Sequence, residues 1–351
     1  MKLTFDGHSI QTTPGTSLLQ LIQHLGLEGN DLSDRPLAAK IAGEVFNLNY
    51  IPQREKDTLP DRPSIRRAMA ASGGEVRLLR YTDVPGKEAY IRTGQFVIFL
   101  ALRQIVPEAE AKIGCTLGNS VYVCVENAEG FSVSELKDRM SHLVAEDIPL
   151  IRRRIPVTRA IEHFIKEGQS DKARLLGWRS VDYFDAYFHE DFADYYYGEM
   201  LPSTSYLAVW DILPADRGFV IVYPDDRNPD VLSQVPSMPN FFSVFSEGER
   251  WCRLMECETV ADLNDLTVSG RIRELIRVNE ALHEKRYSQV ADMICRRGAK
   301  AVMLAGPSSS GKTTSANRLA TQLRVHGKKP ILMSLDDYYI DRDKIAPGPD
   351  G

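Results

Sequence analysis

Gly306-Pro307-Ser308-Ser309-Ser310-Gly311-Lys312-Thr313-Thr314 places a glycine, four residues and then Gly-Lys-Thr in a row, the spacing of a loop that wraps a phosphate. Small residues let the backbone approach an anion closely, and backbone N–H groups at the start of the next helix face it. In such a loop Lys312 reaches the β- and γ-phosphates and the Thr313 hydroxyl holds Mg²⁺, so ATP and Mg²⁺ are the expected cofactors. A second apolar run ends in Ser334-Leu335-Asp336-Asp337-Tyr338-Tyr339. A carboxylate there can accept a proton from an acceptor hydroxyl or help hold Mg²⁺. Consecutive strand residues point to opposite faces, so one of Asp336 and Asp337 is expected to face the cleft.

These side chains need a sheet edge to position them. Ala301-Val302-Met303-Leu304-Ala305 is short, apolar and bounded, which predicts a buried parallel strand entering the loop. Ala316, Leu319, Ala320 and Leu323 recur at helical spacing after it, and Gly327 with Pro330 stops that helix. Pro330 to Leu335 then predicts a second strand with the carboxylates at its carboxyl end, where ligands of open α/β sheets bind.

The chain has 351 residues, room for two or three domains, with 43% hydrophobic and 26% charged residues, as in a globular protein. A net charge of −5 gives no overall nucleic-acid signature; Arg152-Arg153-Arg154 is a candidate local basic patch, though a solvated helix end or linker is the expected reading of that run. No apolar run approaches membrane-spanning length, and Met1-Lys2-Leu3-Thr4-Phe5 is not a signal peptide. The five scattered cysteines read as reduced thiols of a cytoplasmic protein.

Residues 1–82 predict a small β-grasp module. Strands are expected at Leu3 and Phe5, near Ile10, and at Glu75 to Tyr81, with a helix capped by Thr16 and a hairpin turning at Ala42-Gly43. The charged stretch Pro52 to Pro63 reads as a loop. Residues 83–235 predict an α+β domain. It has a buried helix through Phe96, Phe99, Leu100 and Leu102, a strand at Val121 to Val125, a capping box Ser132-Val133-Ser134-Glu135, and a helix from Ala160 to Phe164. Residues 236–298 predict a helical connector whose apolar stripes face a core, and residues 299–351 the start of the phosphate-binding domain.

Pro14-Gly15-Thr16-Ser17-Leu18-Leu19 and Leu37-Ala38-Ala39-Lys40-Ile41-Ala42-Gly43-Glu44 resemble the TGS domain of threonyl-tRNA synthetase, which implies RNA or ribosome contact by analogy. Pro107-Glu108-Ala109 to Ile113-Gly114 and Phe188-His189-Glu190-Asp191-Phe192-Ala193-Asp194-Tyr195 are similar to the second additional domain of that synthetase, which edits mischarged tRNA with two histidines, a cysteine and a third histidine. Aligned on those segments, the four ligand positions fall at Arg92, Phe96, Tyr196 and Met200, none of which supplies thiolate or imidazole chemistry. An editing hydrolase is therefore not expected. His189 reads as structural, and Tyr195, Tyr196 and Tyr197 as packing residues able to stack on a base.

The phosphate loop together with Ser334 to Tyr339 resembles the uridine kinase and phosphoribulokinase family. That resemblance implies an α/β P-loop domain in which Asp336 is the base and Tyr339 contacts the substrate. It implies an ATP-dependent nucleoside kinase acting on the 5′-hydroxyl of uridine or cytidine. The alternatives are another hydroxyl acceptor, such as a phosphorylated sugar or pantothenate, and an RNA- or ribosome-associated NTP-binding protein. About 50 residues follow the start of the loop strand, where such a domain takes well over 100, so a fragment of a longer kinase is expected, inactive alone.

Overall fold

The computed structural model describes residues 2–52, 73–215, 217–236, 239–340, 344 and 345, and of residues 239–241 the backbone alone. The chain is α+β and divides into two units, Met1–Arg250 and Trp251–Gly351. Most of the stretch Pro52 to Pro63 lies outside the described residues.

The first unit opens with β1 (Lys2–Phe5), β2 (His8–Gln11), α1 (Leu18–His24), β3 (Ala38–Ile41), β4 (Glu44–Phe46) and β5 (Glu75–Leu79). The sheet order is β2-β1-β5-β3-β4, with β1 and β5 parallel and the other pairs antiparallel. Leu3 and Phe5 point inward by the period of two and meet Leu18, Leu21 and Ile22 of α1. The cap of α1 is Ser17, one residue beyond the expected Thr16. Gln20 sits three positions after Ser17, and the two exchange hydrogen bonds in a full capping box. Ala42 and Gly43 both take positive φ, as a two-residue hairpin turn requires.

Next come α2 (Val84–Ile105), β6 (Glu110–Leu117), β7 (Ser120–Glu126), α3 (Val133–Ala145), β11 (Asp211–Ala215) and β12 (Gly218–Val222). The four strands form an antiparallel sheet in the order β11-β12-β7-β6. Strand β7 is covered on both faces. Val121 and Val123 join Phe96, Val97 and Leu136 in the main core, while Tyr122 and Cys124 face Phe242 and Phe245 of α6 (Pro239–Leu254). Ser132 caps α3 by accepting from the Glu135 N–H, one half of the expected box.

Between these elements lies a smaller sheet, β10-β9-β8, from β8 (Arg152–Pro156), β9 (Tyr183–His189) and β10 (Phe192–Asp194). Helices α4 (Val157–Lys166) and α5 (Ser170–Gly177) cover one face, where Phe164, Phe184, Ala186 and Leu176 are buried together. The arginine run thus forms strand β8 and not a helix end or linker: two faces of unlike neighbours accept alternating residues, and Ile155, directly after the arginines, packs inward.

The second unit holds α7 (Val260–Val268), α8 (Ile272–Arg297) and α9 (Lys312–Val325). Gly298 ends α8 in the left-handed conformation, and the Ala299 N–H bonds the Ile294 carbonyl. Helices α8 and α9 pair through Glu284 with Arg318 and Gln322, Tyr287 with Ser315, and Asp292 with His326. The two expected strands are not formed. Residues 301–305 and 330–334 have no regular structure, and Met303 is 95% and Ile331 86% exposed. A parallel strand exists through its neighbours' hydrogen bonds and the helices that cover it, and neither is present among the described residues.

Candidate functional site

Arg154 lies directly opposite Asp185 in the β8–β9 pair, and its Nε and Nη2 donate to both carboxylate oxygens at 2.8 and 2.9 Å. The same guanidinium stacks 3.8 Å over the Tyr183 ring. The alternation that sends Phe184 and Ala186 into the helices sends Arg152, Arg154, Tyr183, Asp185 and Tyr187 to the other face. The following segment, Tyr195 to Leu201, is held against that face by Glu199, which is 7% exposed. Its carboxylate accepts from Arg152 at 2.9 Å and from the Tyr187 hydroxyl at 3.2 Å, and its carbonyl accepts from Arg92 Nε at 2.9 Å. Burial raises the Tyr187 hydroxyl well above the phenol range, so it remains a donor.

Gly198 sits at φ 143°, and a Cβ there would stand 2.7 Å from the Arg92 guanidinium carbon. Only the bare backbone lets Arg92 lie against it. Asn47 bonds the end of the same segment, donating to the carbonyls of Met200 and Leu201 at 2.8 and 3.0 Å, and Asn49 donates to Pro202 at 2.7 Å.

These groups enclose a cavity of about 420 Å³, lined by Arg92, Arg152, Arg179, Tyr183 and the run Tyr195 to Glu199. Two of the four positions picked out by the resemblance, Arg92 and Tyr196, therefore share one cavity. The other two, Phe96 and Met200, are fully buried in the main core. Among the described residues no histidine or cysteine lines the cavity, and no group of three His, Cys, Asp or Glu could hold a metal. Burial pushes the thiols of Cys115, Cys124 and Cys257 upward, away from thiolate reactivity. The Tyr196 hydroxyl is buried without a hydrogen-bond partner, whereas Tyr197 is 85% exposed at the rim, its ring edge-on to Tyr195 at 5.8 Å. His189 ends β9 opposite Phe192 and does not line the cavity.

The sequence-predicted phosphate residues lie on a surface loop. Gly306 and Pro307 precede a turn at Ser308 and Ser309, Ser310 bonds back to Pro307, and Gly311 caps α9 at φ 82°. Lys312 Nζ donates to the carbonyls of Gly306 and Pro307 at 2.8 and 2.7 Å. Thr313 and Thr314 stand exposed in the first turn, where N–H groups lack intrahelical partners. Asp336 and Asp337 lie on a one-turn 3₁₀ helix, with Tyr339 exposed after it. Among the described residues no hydrogen bond or ion pair joins this turn to the loop.

Of the charged residues of the cavity, the sequence singled out Arg92 by the resemblance and Arg152 within the arginine run, but not Glu88, Arg179, Asp185 or Glu199. The available signal was in β9, where Tyr183, Asp185 and Tyr187 alternate with apolar Phe184 and Ala186.

No family model matches the chain. Curated proteins do resemble it. They are threonine–tRNA ligases. The chain is 26% identical to that of Desulforamulus reducens over 212 residues, covering 59% of this chain and 30% of that protein. Identity to the Parabacteroides distasonis protein is 26% over 218 residues, 61% of this chain and 30% of the relative. For Xanthomonas euvesicatoria it is 25% over 212 residues, with coverage of 59% and 30%. The chain thus spans about 30% of the length of these relatives. The N-terminal half is threonyl-tRNA synthetase-like. The expectation of an ATP-dependent nucleoside kinase is overturned, because the relatives are ligases and no kinase-like part is matched. Among the described residues no helix is long and apolar enough to cross a membrane.

Proposed function

We propose that this chain is an aminoacyl-tRNA synthetase-related RNA-binding protein, whose first unit contacts tRNA without hydrolysing an aminoacyl ester. The observation that carries this reading is the cavity: arginine and tyrosine stand where an editing site would carry imidazole and thiol. Guanidinium groups and exposed tyrosine rings suit phosphates and unstacked bases, and none of them activates water. The sheet β2-β1-β5-β3-β4 with α1 serves, on this reading, as the TGS-like β-grasp module, and residues 83–235 as the domain that holds the cavity.

The test is anisotropy of a labelled tRNA titrated with the full chain at two salt concentrations, with deacylation of seryl- and threonyl-tRNA followed in parallel. Binding should weaken steeply as salt rises, and deacylation should match the spontaneous rate. Enzymatic deacylation, or no tRNA binding at low salt, would overturn the reading.

The loop 306–314 supports a second assignment, binding of nucleotide phosphates. Gly311 and the open N–H groups of α9 fit an anion, and the Lys312 ammonium is already gathered over the loop by two carbonyls. Gly306 to Thr314 would hold the phosphates of ATP and Thr313 would ligate Mg²⁺. Lys312→Ala should abolish binding of a fluorescent ATP analogue while leaving the circular dichroism spectrum unchanged; equal affinity would remove the assignment.

A further inference from the structure

The cavity between β8, β9 and the segment 195–199 has a charge arrangement that selects its ligand. Each lining carboxylate already has a guanidinium. Glu199 holds Arg152 at 2.9 Å, Asp185 takes the Arg154 fork, and Glu88 stands 3.4 Å from Arg92. Arg179 is left over. Its guanidinium lies 5.6 Å from the Phe184 ring and has no carboxylate partner among the described residues. A surplus guanidinium lining the same cavity as a half-engaged one, Arg92, favours an anion and opposes the free α-ammonium of an aminoacyl ester. At the same rim, Tyr197 offers a ring with little packed against it, fixed on one edge by Tyr195. The volume of about 420 Å³ lies within the range for a nucleotide-sized ligand.

We infer that this cavity binds a nucleoside monophosphate, with its phosphate between Arg179 and Arg92 and its base against Tyr197. The nucleotide is either free or the phosphorylated terminal residue of an RNA strand. Only the second source rests on the RNA-binding reading.

The experiment is calorimetry of the full chain with adenosine, adenosine 5′-monophosphate, uridine 5′-monophosphate and inorganic phosphate. Short RNA oligonucleotides ending in a 3′-phosphate or a 3′-hydroxyl form a second set, and an aminoacyl-adenosine analogue a third. The monophosphates should bind about tenfold tighter than adenosine, the difference one charge-assisted contact makes. Arg179→Gln should erase that difference. Arg179 is exposed and makes no ion pair among the described residues, so this variant should fold. Tyr197→Ala should weaken adenosine and its monophosphate alike, by roughly tenfold. Equal binding of adenosine and its monophosphate, tighter binding of the aminoacyl analogue, or an unchanged Arg179→Gln variant would overturn the inference. Free monophosphates binding where tRNA does not would leave it standing and remove the RNA-binding reading. Binding of tRNA with no response to Arg179→Gln or to competing monophosphate would do the reverse.

Discussion

Single side chains decide whether the cavity keeps its shape. Gly198 combines a φ that side chains rarely adopt with direct contact to Arg92, so Gly198→Ala should destabilise the chain by about 1–3 kcal/mol. It should also shift Arg92, so urea unfolding and RNA affinity measured on one preparation should both change; a neutral variant would show that Arg92 is not held by this glycine. A second expectation concerns Lys87, whose ammonium donates to Asp226 at 2.6 Å and to Asn119 at 2.7 Å. The Lys87 hydrogen bond holds the Asp226 carboxyl below its ordinary value of 3.8. A lowered folded-state value means that the unfolded chain binds more protons between the two values. The contribution is therefore present above about pH 4 and is lost as the pH falls through the lower folded-state value. Asp226 is well exposed, so the effect should stay below about 1 kcal/mol. Urea midpoints of wild type and Asp226→Asn from pH 7 down to pH 3 should converge at the acid end, and a gap that widens there would contradict the assignment.

At the scale of elements, the sequence was legible where structure is local. The α1 helix, the Ala42-Gly43 hairpin and the end of α8 at Gly298 follow from caps and glycines that act within a few residues. It was not legible where structure depends on distant partners. Arg152-Arg153-Arg154 is a strand because Asp185 and Tyr187 lie across from it, thirty residues away, and a run of charge carries no sign of that partner. The opposite error fell on residues 301–305 and 330–334, whose composition is that of buried strands although no neighbours among the described residues pair with them. The two kinds of segment should differ in hydrogen exchange. Amides of 301–305 and 331–334 should exchange within seconds, while those in the middle of α9 should be protected, since Ala320 and Leu323 are buried against its surroundings. Protection of the two apolar runs equal to that of α9 would mean that they are paired after all. For the site, the glycine-lysine-threonine spacing found a loop, whereas the cavity needed a register that only the folded β8–β9 pair displays.

At the scale of the molecule, the first unit contains the three sheets and all of the cavity, within residues 1–250. Expressed alone, residues 1–250 should melt cooperatively and keep the full chain's tRNA affinity within about twofold, because every lining group and its hydrogen-bond partners are included; loss of binding would place part of the RNA contact in residues 251–351. Inside that unit, the side-chain amide of Asn47 reaches from the first sheet to the carbonyls that end the cavity's own segment. Recombination at the boundary between β5 and α2, after Leu79, would bring in a sheet chosen without regard to that amide. The carbonyls of Met200 and Leu201 would then face apolar packing with their bonds unmade, at about 1–3 kcal/mol for each buried group. In descent, the opening fifty residues and the cavity are therefore bound to travel together, and a grafted replacement would succeed only from a donor that carries an amide at the same turn.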